Sequence, residues 1–463
     1  MAIAPLMLGV SGLRGLIGQS LTPVVAARYG AAVGQWFMDQ RGRFDDGDAA
    51  HVVVGRDSRP SGAMIESAAV AGLLGAGCRV TTLGIATTPG VAVMVDHLNA
   101  SGGVVITASH NPIMWNGIKT LRRDGAAPPP QEAQQIVAGF QADSAKWAPV
   151  EKLAGLENDP GAARVHVDRV LRHVDADVVR HRKLKVVLDS VHGAGGPSGA
   201  LLLRELGVEV VHLYGEPTGR FPHTPEPTKA NLTELADAVR DHHADAGFAQ
   251  DPDADRLAIV DEKGTYIGEE YTLALCSLHV LSSQDPPVKG GVLATNLSTS
   301  RMIDDVAAKF ACRVIRTPVG EANVAAAMRE HNAIAGGEGN GGIIWPKVVH
   351  VRDSLSGIAL VVEMLAQRGV PLSAIVEASP RYAMVKDKVD LKPGMKERLA
   401  PELCQAFAQQ TLDLQDGVRI DWPDRWVHVR TSNTEPIMRL IAEAGDEGAA
   451  RELIAQVRKA LKL

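Results

Sequence analysis

The 463-residue sequence has few aromatic residues and no excess of basic ones. Phe, Trp and Tyr make up only 4% of the chain, and 48 Lys and Arg residues face 54 Asp and Glu residues, for a formal net charge of -6. A protein that tracks nucleic acid needs a basic surface, and one that grips single strands needs aromatic stacking platforms. A polynucleotide partner is therefore not expected.

Cysteines are few, and long apolar runs are lacking. The four cysteines, which are far apart and form no C-x-x-C pair of the kind that binds zinc, are Cys78, Cys276, Cys312 and Cys404. No stretch of about eighteen apolar residues occurs, and the N-terminus lacks the basic segment of a secretion signal. We expect reduced core thiols, no membrane partner and a cytoplasmic location.

What the chain does have is an ordinary apolar content of 45% and enough length for two to four domains. Strand and helix signals alternate in its first part, with strands at 51–54, 79–83 and 103–106 and helices at 61–76 and 89–98. The same βαβαβ pattern recurs over residues 185–249 and 291–335. Each third strand runs into a polar segment. A C-terminal helix is predicted at 447–461.

These patterns predict an α/β protein with three successive mixed α/β domains and a smaller C-terminal α+β domain around a central cleft. Ligands of open α/β sheets bind beyond the carboxyl ends of strands, so three such domains can direct three loops into one cleft. The predicted domains cover residues 1–152, 153–258, 259–370 and 371–463. Polar, alanine-rich stretches at 126–150 and 153–164 predict linkers between the first two.

Residues 107–112 (TASHNP) follow the third strand. Asn111-Pro112 is a turn signal, and a residue before proline is disfavoured in a helix, so the chain turns just beyond Ser109 and presents its hydroxyl rather than burying it. Ser109 is a candidate nucleophile. It lacks the G-x-S-x-G elbow of esterases, which disfavours an acyl-enzyme hydrolase. A loop serine that caps its own turn is the alternative.

Residues 251–256 (DPDADR) place Asp251, Asp253 and Asp255 at every second position and Arg256 after them. This density of hard oxygen ligands indicates magnesium or calcium. A calcium-binding EF-hand loop needs glycine at its sixth position, where this chain has Arg256, and its flanks would be helices rather than the predicted strands. A magnesium site for phosphate chemistry is favoured over a solvated acidic turn, and Arg256 can reach the same anion.

Residues 336–342 (GGEGNGG) contain a formal G-x-G-x-x-G. A dinucleotide-binding loop would open a helix here, whereas the apolar residues 343–346 follow. Glu338 would also place a negative charge against the phosphates of a dinucleotide. A carboxylate among glycines suits a sugar better, because Glu338 can accept two hydroxyl hydrogen bonds and the glycines let a ring approach the backbone.

Residues 430–436 (RTSNTEP) lie between two apolar runs and predict a strand-loop-strand turn. A guanidinium fork, hydroxyls, an amide and successive backbone N–H groups bind phosphate well. We therefore predict a phosphate cradle formed by Arg430, Ser432, Asn433 and Thr434. A plain hairpin turn is the alternative.

These four segments, in this order, resemble the loops of the alpha-D-phosphohexomutases, the family of phosphoglucomutase, phosphomannomutase and phosphoglucosamine mutase. The resemblance spans the chain: TASHNP is similar to the phosphoserine loop, DPDADR to the metal loop, GGEGNGG to the sugar loop and RTSNTEP to the phosphate-binding loop. Residues 9–15 (GVSGLRG) resemble the opening loop of the family, although Val10 stands where threonine is more usual. Residues 55–59 (GRDSR), 116–119 (NGIK, which ends in Lys119) and 317–320 (TPVG) also fall where the family has similar segments.

The resemblance implies an isomerase that interconverts hexose 6-phosphate and hexose 1-phosphate through a phosphoserine enzyme and a sugar 1,6-bisphosphate. Ser109 would be the carrier, and Arg14, His110 and Lys119 would be the further catalytic residues. The implied cofactor is Mg²⁺, held by Ser109, Asp251, Asp253 and Asp255, with Arg256 beside it. Substrate would be bound by Glu338, Asn340, Arg430, Ser432, Asn433 and Thr434.

One departure from the family bears on the substrate. Many bacterial members end the sugar loop with serine, glycine and histidine, whereas this chain has Asn340, Gly341 and Gly342, which resembles archaeal-type phosphoglucosamine and phosphomannose mutases. Glucosamine phosphate is the expected substrate, and phosphomannomutase or phosphoglucomutase activity is the alternative. A one-way phosphatase and a non-catalytic sugar-phosphate binding protein on the same fold are weaker alternatives. Small-molecule sugar phosphates are the expected partners of a monomer or homodimer.

Overall fold

The structure is a computed structural model that describes residues 6–10, 12–41, 49–283, 286–392, 394–432 and 437–463. Its strands form four sheets, each of which is packed against helices. Among the described residues, no helix has both the length and the apolar character that a membrane crossing requires.

The N-terminal third of the chain builds a seven-stranded sheet. Its elements are β1 (Met7–Gly9), β2 (Gly12–Leu16), α1 (Pro23–Gln40), β3 (His51–Arg56), α2 (Gly62–Gly75), β4 (Arg79–Ile85), α3 (Thr88–His97), β5 (Gly102–Ile106), β6 (Trp115–Arg122), α4 (Pro130–Ala142) and β7 (Leu156–Asn158). The strand order is β1-β2-β6-β5-β3-β4-β7, with β5 parallel to β3 and antiparallel to β6. Since β7 pairs with β4, this sheet continues past residue 152. The domain boundaries at 152, 258 and 370 stay predictions.

Two four-stranded sheets follow, and both repeat this design. The second contains α5 (Ala162–Leu171), α6 (Ala176–Arg182), β8 (Lys185–Asp189), α7 (Gly195–Glu205), β9 (Glu209–Leu213), α8 (Thr233–Asp241), β10 (Ala246–Gln250) and β11 (Leu257–Asp261). The third contains α9 (Glu269–Ser282), β12 (Val292–Asn296), α10 (Met302–Lys309), β13 (Arg313–Thr317), α11 (Glu321–Glu330), β14 (Ala335–Glu338), β15 (Gly342–Ile344), α12 (Ser354–Arg368) and α13 (Leu372–Glu377). The strand orders are β11-β10-β8-β9 and β13-β12-β14-β15, each with one antiparallel edge strand.

The last sheet is antiparallel. Its elements are β16 (Ala383–Asp390), α14 (Met395–Ala406), β17 (Thr411–Asp413), β18 (Val418–Asp421), β19 (Trp426–Thr431), β20 (Ile437–Ala444) and α15 (Glu447–Ala460), with strands in the order β16-β20-β19-β18-β17. Leu453, Ile454 and Val457 of α15 are buried against the sheet, as their helical spacing predicts. The predicted mixture of three α/β units and a smaller α+β unit is confirmed.

One predicted linker is wrong. Residues 126–150 contain α4, whose apolar residues Ala133, Ile136 and Phe140 recur at helical spacing and are buried. The ring of Phe140 packs edge-on against Tyr29 of α1 at 5.5 Å. The helix begins with proline, whose fixed φ suits a first turn. Its polar face is rich in glutamine, which is why the segment resembled a linker.

Hydrophobic burial joins the first three sheets. One cluster of buried apolar side chains extends through all of them and includes Val53 of β3, Val186 of β8 and Leu293 of β12. The fourth sheet has a separate cluster, which includes Leu440 and Val457. The three chemical loops of the α/β units are therefore anchored to one shared core.

The helices α1 and α2 pack at backbone contact. A Cβ added to Gly30 would lie 2.3 Å from the carbonyl oxygen of Ala69, and one added to Gly72 would lie 2.1 Å from that of Ala27. Backbone atoms inside a helix cannot move aside as a side chain can. Both glycines are therefore required by the packing.

Replacing Gly72 with alanine should lower the unfolding free energy by about 1–3 kcal/mol, because the added methyl group overpacks the crossing. Differential scanning calorimetry should show a lower melting temperature. The matched control is Gly139→Ala in α4, where an added Cβ meets only Ser144 Oγ at 3.8 Å. Alanine should there raise stability by about 0.5–1 kcal/mol. Equal melting temperatures for the two variants would contradict this packing.

Candidate active site

All four chemical segments lie in connections between antiparallel strands. Residues 107–114 join β5 to β6, residues 251–256 join β10 to β11, and residues 339–341 join β14 to β15. The fourth segment joins β19 to β20. In the three α/β units the loop leaves the carboxyl end of a central parallel strand, which is where open α/β sheets bind ligands.

Ser109 occupies a left-handed turn at the end of β5. Its φ is 49°, an uncommon value for a residue with a side chain, and its backbone N–H donates to Thr107 Oγ1 at 2.8 Å. The Ser109 hydroxyl points away from the first sheet and donates a hydrogen bond to Asp251 Oδ2, in the loop after β10 of the second sheet, at 2.8 Å. Ser109 is only 2% exposed. The expectation that Ser109 is not buried was wrong, because the neighbouring loop covers it.

A buried arginine holds the serine turn in place. Arg59, in the GRDSR segment, donates to four backbone carbonyl oxygens of the turn, those of Ser109, Asn111, Pro112 and Trp115, at 2.5 to 3.0 Å. Its guanidinium is also 3.0 Å from Asp57, which accepts a hydrogen bond from Thr107 Oγ1 at 2.6 Å. The sequence placed this segment among the family-like ones without giving Arg59 a role.

Asp251, Asp253 and Asp255 form a fully buried cluster. One oxygen of each lies within 4.8 Å of the others. The Oδ1 atoms of Asp253 and Asp255 are buried and find no hydrogen-bond donor in the part of the chain that the structure describes. Burial raises the pKa of Asp251 well above its ordinary value, and the carboxylates of Asp253 and Asp255 add to the effect. Three converging carboxylates, two of which have an unused oxygen, fit a hard divalent cation.

The Oδ2 atoms of Asp253 and Asp255 are already paired with other side chains. Lys119 Nζ is 2.7 Å from Asp253 Oδ2 and 3.3 Å from Asp255 Oδ2, and Thr88 Oγ1 donates to Asp253 Oδ2 at 2.6 Å. Burial alone would lower the pKa of Lys119, but the two carboxylates raise it above its ordinary value. Lys119 is therefore an ammonium ion here. Its position leaves the Oδ1 atoms free for a cation.

His110, Arg14 and Arg256 surround the serine turn. His110 Nδ1 lies 3.3 Å from Ser109 Oγ, and Arg14 donates to Asn111 Oδ1 at 2.8 Å. Burial lowers the pKa of His110 to about 2, helped by the charges of Arg256 and Arg14, so its imidazole is neutral. The sequence grouped His110, Arg14 and Lys119 without separating their roles. In the structure, His110 has a neutral ring beside Ser109, whereas the charge of Lys119 is paired with Asp253 and Asp255.

The carboxylate of Glu338 is held from several sides. Its Oε1 accepts from Asn296 Nδ2 at 2.8 Å and from the backbone N–H of Gly320 at 3.2 Å. Asn340 Nδ2 lies 3.4 Å from Oε2. Glu338 is only 4% exposed, and its loop continues into strand β15 rather than a helix, as the sequence predicts.

A further arginine, which the sequence reasoning missed, joins the metal and sugar loops. Arg352 donates through Nη2 to Asp255 Oδ2 at 2.7 Å and through Nη1 to Glu338 Oε2 at 2.7 Å. Its only sequence signal is a charged pair, Arg352 and Asp353, just before α12, which Asp353 caps. That signal matches no motif.

The fourth sheet reaches the sugar loop through Asp416. Its Oδ2 accepts from Arg430 Nε at 2.8 Å and from the backbone N–H of Val319, in the TPVG segment, at 3.0 Å. The adjacent Gly320 N–H binds Glu338. Ser432 N–H donates to the carbonyl of Ile437 at 2.8 Å. Asn433 and Thr434, predicted to bind phosphate, lie outside the described residues.

Comparison with protein families assigns four successive segments of the chain, which together make up most of it, to one family. Residues 5–147, 164–264 and 269–382 match phosphoglucomutase/phosphomannomutase alpha/beta/alpha domains I, II and III, and residues 386–460 match the C-terminal domain of the same family. The four matched segments follow one another in the order of the four sheets.

Individual relatives cover nearly the same length. The chain is 37% identical over 454 residues to a phosphoglucomutase/phosphomannomutase of Thermococcus kodakarensis, covering 97% of this chain and 96% of the relative. It is 32% identical over 460 residues to a phosphoglucosamine/phosphogalactosamine mutase of Sulfurisphaera tokodaii, covering 98% of both. A crystal structure of a phosphoglucomutase/phosphomannomutase family protein from Burkholderia thailandensis superposes with a TM-score of 0.86 at 27% identity, covering 98% of this chain and 96% of that one.

Replacing Asp253 with asparagine should weaken divalent-cation binding by about ten-fold or more, because one of three hard ligands loses its charge. Titration with Mg²⁺ by calorimetry, or with Mn²⁺ by electron paramagnetic resonance, measures this loss. The control is Asp261→Asn, since Asp261 is also buried but lies outside the cluster, and its side chain accepts backbone N–H bonds from Lys263 and Thr265. Equal affinities in wild type and Asp253→Asn would remove the metal assignment.

Proposed function

The chain belongs to the phosphoglucomutase/phosphomannomutase family, and we propose that it is a phosphohexomutase that uses Ser109 as its phosphoryl carrier. The observation that carries this proposal is the 2.8 Å contact of Ser109 Oγ with Asp251 Oδ2. It puts the hydroxyl at the edge of a buried carboxylate cluster. Capping of its own turn would not require Ser109 to contact a carboxylate of another sheet, so this contact favours the carrier role.

In the proposed reaction, the resting enzyme carries a phosphoryl group on Ser109 Oγ. The free hydroxyl of a hexose monophosphate attacks the phosphorus, and the P–Oγ bond breaks while the new O–P bond forms. The proton of the attacking hydroxyl passes to water, and the serine oxygen keeps the electron pair of the broken bond and takes up one proton, so that no net proton is consumed. The product is a hexose 1,6-bisphosphate. It reorients and returns its other phosphoryl group to Ser109 by the reverse step.

Phosphoryl transfer depends on positioning and charge neutralisation. A Mg²⁺ ion held by Asp251, Asp253, Asp255 and an oxygen on Ser109 would neutralise charge on the transferring group. Arg256, beside the cluster, adds a fixed positive charge. Lys119 contributes the same kind of charge from the opposite face, where it is paired with Asp253 and Asp255.

The proton and positioning roles follow the contacts. His110 is proposed as the proton carrier at the serine oxygen, which its Nδ1 approaches to 3.3 Å. Arg14 is proposed to steady the serine turn and its phosphate through Asn111. Arg59 keeps the turn in its left-handed form through four carbonyl hydrogen bonds.

Sugar and distal phosphate are bound at the other end of the cleft. Glu338 and Asn340 are proposed to accept and donate hydrogen bonds to ring hydroxyls. Arg430 and Ser432, with Asn433 and Thr434 by resemblance, are proposed to grip the non-reacting phosphate. The link from Arg430 through Asp416 to the TPVG segment supports this arrangement, because it fixes the grip relative to Glu338.

Glucosamine phosphate is the proposed preferred substrate, with mannose and glucose phosphates as secondary ones. The GGEGNGG loop supports this choice, as does likeness to a relative named for glucosamine and galactosamine phosphates. A cytoplasmic location and a monomeric or homodimeric state complete the proposal.

Ser109→Ala should lose mutase turnover by roughly 10³-fold or more, because the carrier oxygen is gone. Mass spectrometry of the purified wild type should find one phosphoryl group on the peptide that contains Ser109. Ser144→Ala, at an exposed position, is the control and should retain full activity. Full turnover of Ser109→Ala would refute the carrier role.

The three 1-phosphates of glucosamine, mannose and glucose should all be turned over, with glucosamine 1-phosphate giving the highest kcat/KM. Discrimination should be modest, because spare volume in a pocket separates substrates by only about 1–3 kcal/mol. Coupled assays with catalytic sugar bisphosphate measure the three values side by side. A glucosamine value lowest of the three would overturn the substrate proposal.

A further inference from the structure

Arg352 occupies the space that a side chain at position 342 would fill. A Cβ built on Gly342 would lie 2.1 Å from Cδ, 2.8 Å from Cγ and 3.2 Å from Nε of Arg352, and these are its three nearest atoms. The φ of Gly342 does not fall in the left-handed region, so its backbone would accept alanine. Arg352, and not the backbone, therefore requires a glycine at this position.

The guanidinium spans two loops from different sheets. Nη2 binds Asp255 of the metal loop and Nη1 binds Glu338 of the sugar loop, each at 2.7 Å. A planar fork with two separate donors fixes the distance between the carboxylates that it joins, which a single ammonium group cannot do. Arg352 thereby sets the spacing between a metal ligand and a sugar ligand.

The backbone of Arg352 is also held in place. Its backbone N–H donates to Glu321 Oε1 at 2.8 Å, and the next residue, Asp353, donates from its N–H to the carbonyl of Ile343 at 2.8 Å. Asp353 then caps α12 by accepting from Leu355 and Ser356 N–H groups. The guanidinium therefore projects from a backbone tied to β15 and to α11.

The charge on Arg352 is permanent. A guanidinium keeps its proton throughout the pH range in which proteins are folded, and this one lies 2.7 Å from a carboxylate oxygen of Asp255 and 2.7 Å from one of Glu338. Without Arg352, the buried carboxylates of Asp255 and Glu338 would each lose a cationic partner, which would destabilise the fold. Arg352 also leaves Asp255 Oδ1 without a donor among the described residues, so that oxygen stays available to a cation.

From this geometry we propose that Arg352 is a positioning residue that couples the metal loop to the sugar loop, and that Gly342 exists to admit it. The inference rests on the proposed function, because it assigns the coupling to the mutase reaction. Arg352 acts through Asp255 and Glu338. Its loss should therefore raise the KM for sugar phosphate and lower kcat together.

A double-mutant cycle tests this pairing. Gly342→Ala should lower kcat/KM by about 10- to 100-fold, since a displacement near 1 Å costs that much. Arg352→Ala should lower it at least as much. All three atoms that the methyl group added at position 342 would strike belong to Arg352 and disappear in that variant, so the double variant should be no worse than Arg352→Ala alone. Arg352→Lys, which keeps the charge without the fork, should fall between wild type and Arg352→Ala.

Two controls separate positioning from mere stability. Gly155→Ala, where an added Cβ meets nothing within 4 Å, and Arg458→Gln, which removes an ion pair to Asp387, should both leave kcat and KM unchanged. Calorimetry on every variant records folding. A purely structural Arg352 would lower the melting temperature while leaving kcat and KM of the folded fraction as in wild type, and that result would overturn the inference.

The remaining outcomes are equally decisive. Multiplicative effects of Gly342→Ala and Arg352→Ala would show that the two positions act independently and would overturn the pairing. If Arg352→Ala does not fold, Gly342→Ala decides alone, and a kcat/KM within about two-fold of wild type would refute the proposal. A wild type without mutase turnover would instead refute the proposed function.

Discussion

The site depends on burying three carboxylates of one loop against a hydroxyl of another. Charges removed from water are tolerated only when they are paired and hydrogen-bonded. Here Lys119 pairs with Asp253, Arg352 pairs with Asp255, and Asp251 accepts hydrogen bonds from the backbone and from Ser109. The pairing partners come from the first and third sheets, so the metal loop is satisfied only when three sheets are assembled. This requirement links the chemistry of the cleft to the packing of the whole α/β region.

The α/β units meet this requirement by repeating one local design. In each unit a central parallel strand turns into an antiparallel neighbour, and the turn carries the functional side chain. A continuous apolar cluster fixes the three sheets relative to one another. The fourth sheet has its own core and reaches the third unit through polar contacts, such as Asp416 with the N–H of Val319 and His428 with Ser298. The three loops of the α/β units are therefore positioned by one shared core, whereas the proposed phosphate-binding segment belongs to a sheet with a core of its own.

Local patterns in the sequence were sufficient for the strands and their loops, because apolar runs and turn signals act over a few residues. Strands β3 and β5 and helix α15 were all predicted in this way. Contacts between distant residues were not. The burial of Ser109 arises from the loop that carries Asp251, and Arg352 joins two carboxylates that are 97 and 14 positions away in the sequence. The polar composition of α4 made that segment resemble a linker. The neutral state of His110 likewise depends on burial beside Arg256, which no motif encodes.

Following a labelled phosphoryl group tests the central claim most directly. Enzyme carrying a radiolabelled phosphoryl group on Ser109 would be mixed with unlabelled hexose 6-phosphate and quenched within a single turnover. The account predicts that the label leaves the protein and appears first in hexose 1,6-bisphosphate and then in hexose monophosphate. Release of the label as inorganic phosphate would instead indicate a phosphatase. Label that stays on the protein while substrate is converted would contradict the carrier role of Ser109.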